Sequence, residues 1–119
     1  MRIHHFIVTY RNPIWEDCVR SILRTPTEHD RQISVINNHS DFHVPYDLQT
    51  LVGVYHNTLR ADWSTGHLAR NWNQALILGF GNLIQPHADI VVTSQNDSTF
   101  SEGYLDRLIA AHRDYDIIT

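Results

Sequence analysis

The chain has 119 residues, a net charge of −4 with histidine neutral, and a single cysteine. That length gives one domain with one core, and 42% apolar against 18% charged residues excludes a disordered chain. The negative balance excludes the diffuse basic face of a nucleic-acid binder, and a lone Cys18 leaves no intramolecular disulfide.

All nine basic residues are arginine, spread along the whole chain, which reads as compositional bias. Cys18 falls in an apolar helical pattern, as a buried thiol does. No run approaches the ~20 apolar residues of a membrane helix, and the amino terminus is too polar after Val8 for a secretory leader. The expected location is cytoplasmic. The nine histidines form no HExxH pattern, and the one pair at HxxxH spacing, His39 and His43, falls in a polar stretch ending in Pro45 that reads as loop, so a histidine zinc site is not expected.

In chain order, "IHHFIVTY" (3–10) is rich in β-branched and aromatic residues and predicts a strand that gives way to "RNP". "NPIWEDCVRSILRT" follows with Asn12 as N-cap, Pro13 at the first helical position, and an apolar stripe of Trp15, Cys18, Val19, Ile22 and Leu23. "QISVINNHS" (32–40) predicts a second strand, and after a long loop "LVGVYHN" (51–57) a weaker third. "STGHLARNWNQALILG" reads as a helix capped by Ser64 or Thr65, striped through Leu68, Trp72, Ala75 and Leu76, and stopped by Gly79. "ADIVVTSQND" (88–97) is the next strand. A helix capped by Ser101, with Glu102 in its first turn and Tyr104, Leu105, Leu108 and Ile109 on its apolar face, comes after it, and "YDIIT" begins one more strand. Short continuous apolar runs alternating with helices imply an α/β fold, a Rossmann-like open, mostly parallel sheet with helices on both faces.

Ligands of such sheets bind beyond the carboxyl ends of the strands. Those ends carry Thr9, Tyr10 and Arg11; Asn37 and Asn38; Asn57; and Gln95, Asn96 and Asp97. Each cluster alone is what a turn needs; their convergence on one edge points to a site. No glycine-rich phosphate loop is present. A bound nucleotide would need a divalent cation to neutralise its phosphates, and Asp97 stands where it could hold one.

These segments resemble the amino-terminal, nucleotide-binding part of family 2 glycosyltransferases of the GT-A fold. The matching pieces, in order and over nearly the whole chain, are "FIVTYRN", "VINNHS", "GHLARNWNQAL" and the DxD-like "SQNDSTFSEGYLDRLI". The resemblance implies a single domain, 1–119, that binds a nucleotide-diphosphate sugar and lacks the acceptor half. Its activity would be metal-dependent transfer of the sugar to a hydroxyl acceptor, a saccharide, lipid or protein glycan. It implies that Thr9, Tyr10 and Arg11 line the base and ribose pocket, and that Asn37 and Asn38 stand where the family has a base-recognising Asp. Arg70 would reach the base or diphosphate, Gln95 and Asn96 would contact the donor, and Asp97 would ligate Mn2+ or Mg2+. Two departures weaken the match: Asn replaces Asp on the second strand, and Gln95 replaces the first Asp of the DxD motif. The general base of inverting members has no counterpart among these residues, so the catalytic residue is left unassigned. The alternatives are a non-catalytic nucleotide-sugar-binding module and an unrelated Rossmann-like interaction domain.

Overall fold

The computed structural model describes residues 1–57, 67–82 and 84–118. Four parallel strands, β1 (Arg2–Thr9), β2 (Asp30–Asn37), β3 (Gly53–His56) and β4 (Ile90–Gln95), form one open sheet in the order β3-β2-β1-β4. Helices α1 (Trp15–Leu23), α2 (His67–Phe80) and α3 (Tyr104–Ala111) connect or follow them, and a short 3-10 turn, Tyr46–Leu48, interrupts the long β2–β3 connection. The parallel α/β sheet with helices on both faces is therefore present as the alternating pattern predicted.

Side-chain alternation along β1 assigns the faces. Ile3 and Ile7 point to the face covered by α3 and α1, whereas Phe6 points to the face covered by α2. The first core joins Ile7, Ile33 and Val35 to Trp15, Cys18, Val19 and Ile22 of α1, with Leu48 of the 3-10 turn closing it. The expected stripe of α1 is the observed one. Each aliphatic side chain buried there contributes about 1.5–3 kcal/mol. On the same face, Leu105 with Tyr104, Leu108 and Ile109 of α3 packs on Ile3, Ile90 and Val92.

The other face is built differently. Buried on α2 are Asn71 and Ala75, whereas Trp72 and Leu76 remain 39% and 45% exposed. The helix is rotated from the predicted stripe, and Gly79 supplies the reason. A β-carbon on Gly79 would sit 2.5 Å from a Val91 methyl and 3.0 Å from the Phe6 ring. Small residues at 75 and 79 let the helix backbone approach the sheet closely, and the larger apolar residues turn outward. Gly79 accordingly does not stop the helix; α2 runs to Phe80, and Gly81 follows at φ +65°.

Three other boundaries differ from the sequence expectation. Asn12 accepts from the Ile14 backbone N–H at 3.0 Å, so it caps the turn that leads into α1, three residues before the helix proper. Ser101 is not the cap of α3: the residue before Tyr104 is Gly103 at φ +77°, and Ser101 Oγ accepts from Arg107 Nη2 instead. Residues 115–118 form no strand, and Ile117 is 85% exposed. The expected caps Ser64 and Thr65 lie outside the described residues. Among the described residues no helix is long and apolar enough to cross a membrane.

Two histidines lie inside the sheet. His4 bonds Ser34 Oγ at 2.8 Å and stacks on Phe6; His5 meets the Tyr104 hydroxyl at 3.1 Å, and its Nδ1 is buried without a partner. Burial lowers the pKa of His4 to about 4 and, aided by the Arg31 charge, that of His5 to about 3. Both lie below the 6.5 of an unfolded histidine. As pH falls below that value, the unfolded chain takes up protons that the folded chain refuses. Stability is full above pH 6.5 and falls by about 1.4 kcal/mol per pH unit for each histidine. Urea unfolding is expected to show roughly 4 kcal/mol less stability at pH 5 than at pH 7, and His5→Phe is expected to halve that loss. A pH-independent midpoint between 7 and 5 would contradict this account. Separately, Gly79→Ala is expected to destabilise the fold by about 1–3 kcal/mol in the same assay despite the better helix propensity of alanine.

Candidate functional site

The carboxyl ends of all four strands meet at one edge. Thr9 lies opposite Asn37, Asn37 opposite His56, and Val8 opposite Gln95. With these registers the polar residues that terminate the strands form one continuous row, as the sequence predicted. Neighbouring strands are about 4.8 Å apart, so the row is crossed from β2 to β4 in about 10 Å.

Part of the row is an internal amide network. Asn38 Nδ2 donates to the Thr9 carbonyl at 3.1 Å, and Asn38 Oδ1 accepts from Asn71 Nδ2 at 3.1 Å. Asn57 Nδ2 donates to Asn71 Oδ1 at 2.9 Å and to Gln74 Oε1 at 2.7 Å. Asn37 Nδ2 donates to the His39 carbonyl and to His56 Nδ1, while its Oδ1 accepts from the His39 N–H. Asn37 and Asn38 are only 1% and 5% exposed. They bind the β2 tip to β1, β3 and α2, and their amides are used up in doing so. Asn71 and Gln74, not singled out in the sequence, complete the network; the signal was their i, i+3 spacing in "NWNQ", which puts two amides on one helix face.

Thr9 links the β1 tip to β4. Its hydroxyl accepts from Asn96 Nδ2 at 3.2 Å and donates to the Asn12 carbonyl at 3.2 Å. Asp97, next along, is exposed and takes part in neither ion pair of the described residues, Arg2–Asp89 and Arg20–Asp47. Burial raises the Cys18 thiol to about 12, and the nearby Asp97 carboxylate adds to the effect. Cys18 is thus a protonated core residue, not a nucleophile. The β4–α3 loop turns to the same face as α1, where the Phe100 N–H donates to Ser21 Oγ at 2.9 Å.

Tyr10, Arg11, Arg70 and Gln95 are exposed at this edge. Arg11 holds a left-handed backbone at φ 58°, a conformation that costs a non-glycine residue about 1–2 kcal/mol. Arg70 precedes the buried Asn71 in the first turn of α2, so the network fixes its place beside the β2 and β3 tips.

The concavity at the edge lies between the β1–α1 and β2–β3 loops. Its volume is about 290 Å³, and Arg11, Asn12, Pro13, Trp15, Glu16, Asp41, Phe42 and His43 line it. Phe42 stacks on Trp15 with centroids 5.2 Å apart. Asp97 is not in that lining; it stands on the other side of the β1 tip. A second concavity of about 260 Å³ opens at the opposite, amino edge. There Arg2 is paired with Asp89, and Arg31 donates to the Thr25 carbonyl. The exposed side chains of Tyr10, Arg11, Gln95 and Asp97 lie at the carboxyl edge, which makes that edge the candidate site.

The metal expectation can be tested against the donors present. The described residues contain no group of three or more histidine, cysteine or carboxylate side chains able to hold a metal ion. One exposed carboxylate at Asp97, beside the amides of Gln95 and Asn96, fits a magnesium- or manganese-type ion only where substrate phosphates and water supply the remaining oxygens.

No protein-family model matches this chain, and no curated protein matches it significantly. The function therefore rests on the chemistry of the edge itself.

The amide network yields a direct check. Asn71→Ala would leave Asn38 Oδ1 without its donor and remove one acceptor from Asn57, at an expected cost of about 1–3 kcal/mol in urea unfolding. Asn73→Ala, at an exposed position on the same helix, is expected to stay within about 0.5 kcal/mol.

Proposed function

We propose that this chain is the nucleotide-sugar-binding part of a glycosyltransferase that moves a sugar from a nucleotide-diphosphate donor to a hydroxyl acceptor, a saccharide, lipid or protein glycan. The observation that carries the reading is the alignment of polar strand tips along one edge, with an aromatic concavity on the β2 side of β1 and an unpaired carboxylate on the β4 side. The distance of about 10 Å between those sides suits a nucleoside diphosphate laid across the β1 tip.

In this reading Thr9, Asn37, Asn38 and Asn96 form the floor and hold it rigid, which lowers the ordering cost of binding. Tyr10, Arg11, Arg70 and Gln95 form the rim that contacts the donor. Asp97 holds a divalent cation, Mn2+ or Mg2+, which supplies charge neutralisation to the departing diphosphate. Arg70 can add bidentate hydrogen bonds to phosphate oxygens. Asp97 carries one negative charge where two would bind a metal more tightly, so metal and donor are expected to bind together. None of the described residues is assigned as acceptor site or general base, and the proposed location is the cytoplasm.

A thermal-shift series with nucleoside diphosphates, with and without manganese, tests this. At a concentration 100 times the dissociation constant the expected stabilisation is about 2.7 kcal/mol, a rise of several degrees in Tm. Asp97→Asn is expected to abolish the manganese-dependent part of the shift. A variant that binds manganese and nucleotide as tightly as the parent would remove Asp97 from the site. Transfer or hydrolysis of a labelled sugar nucleotide would distinguish an active transferase from a non-catalytic binding module.

A further inference from the structure

The amides at the β2 tip pose a problem for base recognition. Asn37 and Asn38 occupy the positions expected to read the base, yet both are buried, and every donor and acceptor counted above is engaged within the protein. Turning either amide towards a ligand would break the bridge between β1, β2 and α2, leaving buried partners unsatisfied at about 1–3 kcal/mol each. Specificity must come from elsewhere at the same edge.

The lining of the neighbouring concavity has the required chemistry. Arg11 and His43 supply donors, Glu16 and Asp41 supply carboxylate acceptors, and Phe42, stacked on the buried Trp15, supplies aromatic surface. Formal charges of +1 from Arg11 and −2 from Glu16 and Asp41 leave the lining negative with His43 neutral, so it repels phosphates and suits an uncharged ring. Asp41 is exposed and in neither ion pair, and its backbone N–H donates to His39 Nδ1 at 3.0 Å, which fixes the start of the loop. Glu16 is half-buried on α1 whereas Asp41 is exposed, so Asp41 is the carboxylate more open to a ligand.

A carboxylate beside a guanidinium discriminates among the bases. Guanine alone presents two adjacent donors, N1–H and the N2 amino group, which a carboxylate accepts together, while its O6 and N7 accept from an arginine fork. Uracil offers one ring N–H flanked by two carbonyl oxygens, and these face the carboxylate unfavourably. Adenine and cytosine offer one amino group next to a ring nitrogen acceptor, with the same conflict.

Resting on the nucleotide-sugar reading above, we propose that the concavity between the β1–α1 and β2–β3 loops is a guanine subsite, in which Asp41 accepts from N1–H and N2–H, Arg11 donates to O6 and N7, and the β2 asparagines play only a structural part. The donor is then a guanosine-diphosphate sugar. This assigns Asp41 and Arg11 as the residues that determine base specificity.

The test is isothermal titration of the intact chain with GDP, UDP, ADP and CDP in manganese, for the parent and for Asp41→Asn. GDP is expected to bind at least about tenfold tighter than the other three, and Asp41→Asn to reduce GDP affinity about tenfold while leaving the others unchanged. Because Asp41 is exposed, the variant is expected to unfold at the parent's Tm; Asp41→Ala serves as a second variant with the same expected loss. Equal affinity for all four diphosphates, or a GDP preference that survives both substitutions, overturns the guanine subsite and leaves nucleotide binding standing. Absence of binding by any diphosphate, with or without manganese, overturns the glycosyltransferase reading and the subsite with it.

Discussion

The parallel register between β1 and its neighbours is the constraint on which the rest depends. It places Thr9 level with Asn37 and Val8 level with Gln95, so three strands end in polar residues at the same height. A shift of one residue would invert the side chains of a strand and send Ile7 or Val35 out of the α1 core. The hydrophobic contacts therefore hold the polar edge in place. The amides are then free to bond one another across strand tips without having to define the register themselves.

The face under α2 shows how the edge and the core share one design. Ala75 and Gly79 allow the helix to lie close on Phe6 and Val91. That closeness brings Asn71 within 3.1 Å of Asn38, and Gln74 within 2.7 Å of Asn57. A bulkier residue at 79 would lift the helix and loosen the amide bridge at the same time. Buried amides are tolerated here because every one has partners; a half-satisfied network would cost more than an apolar replacement.

The charges at the edge are segregated by β1. Glu16 and Asp41 face the concavity on the β2 side, and Asp97 stands on the β4 side. Between them Arg11 is held at the β1 tip in a strained left-handed conformation. An acidic lining is ill suited to phosphate, whereas an exposed carboxylate serves it well once a cation intervenes. Under the proposed function this division gives the ligand a direction, ring towards β2 and phosphates towards β4.

The sequence by itself determined the parallel α/β sheet, the strand tips and the stripes of α1 and α3, because these follow from local periodicity and from where apolar runs end. Tertiary structure decided the rest. The rotation of α2 depends on the approach that Gly79 permits, a contact between residues far apart in the chain. The "YDIIT" segment has the composition of a strand, yet its residues 115–118 form none, since a strand is defined by its neighbour and not by its own residues. The same holds for Asn37 and Asn38: their amide chemistry was legible at once, but only packing against α2 and β3 decided that this chemistry is turned inward. Local sequence fixes which groups a chain carries; the distances across the sheet fix which of them are left to meet a ligand.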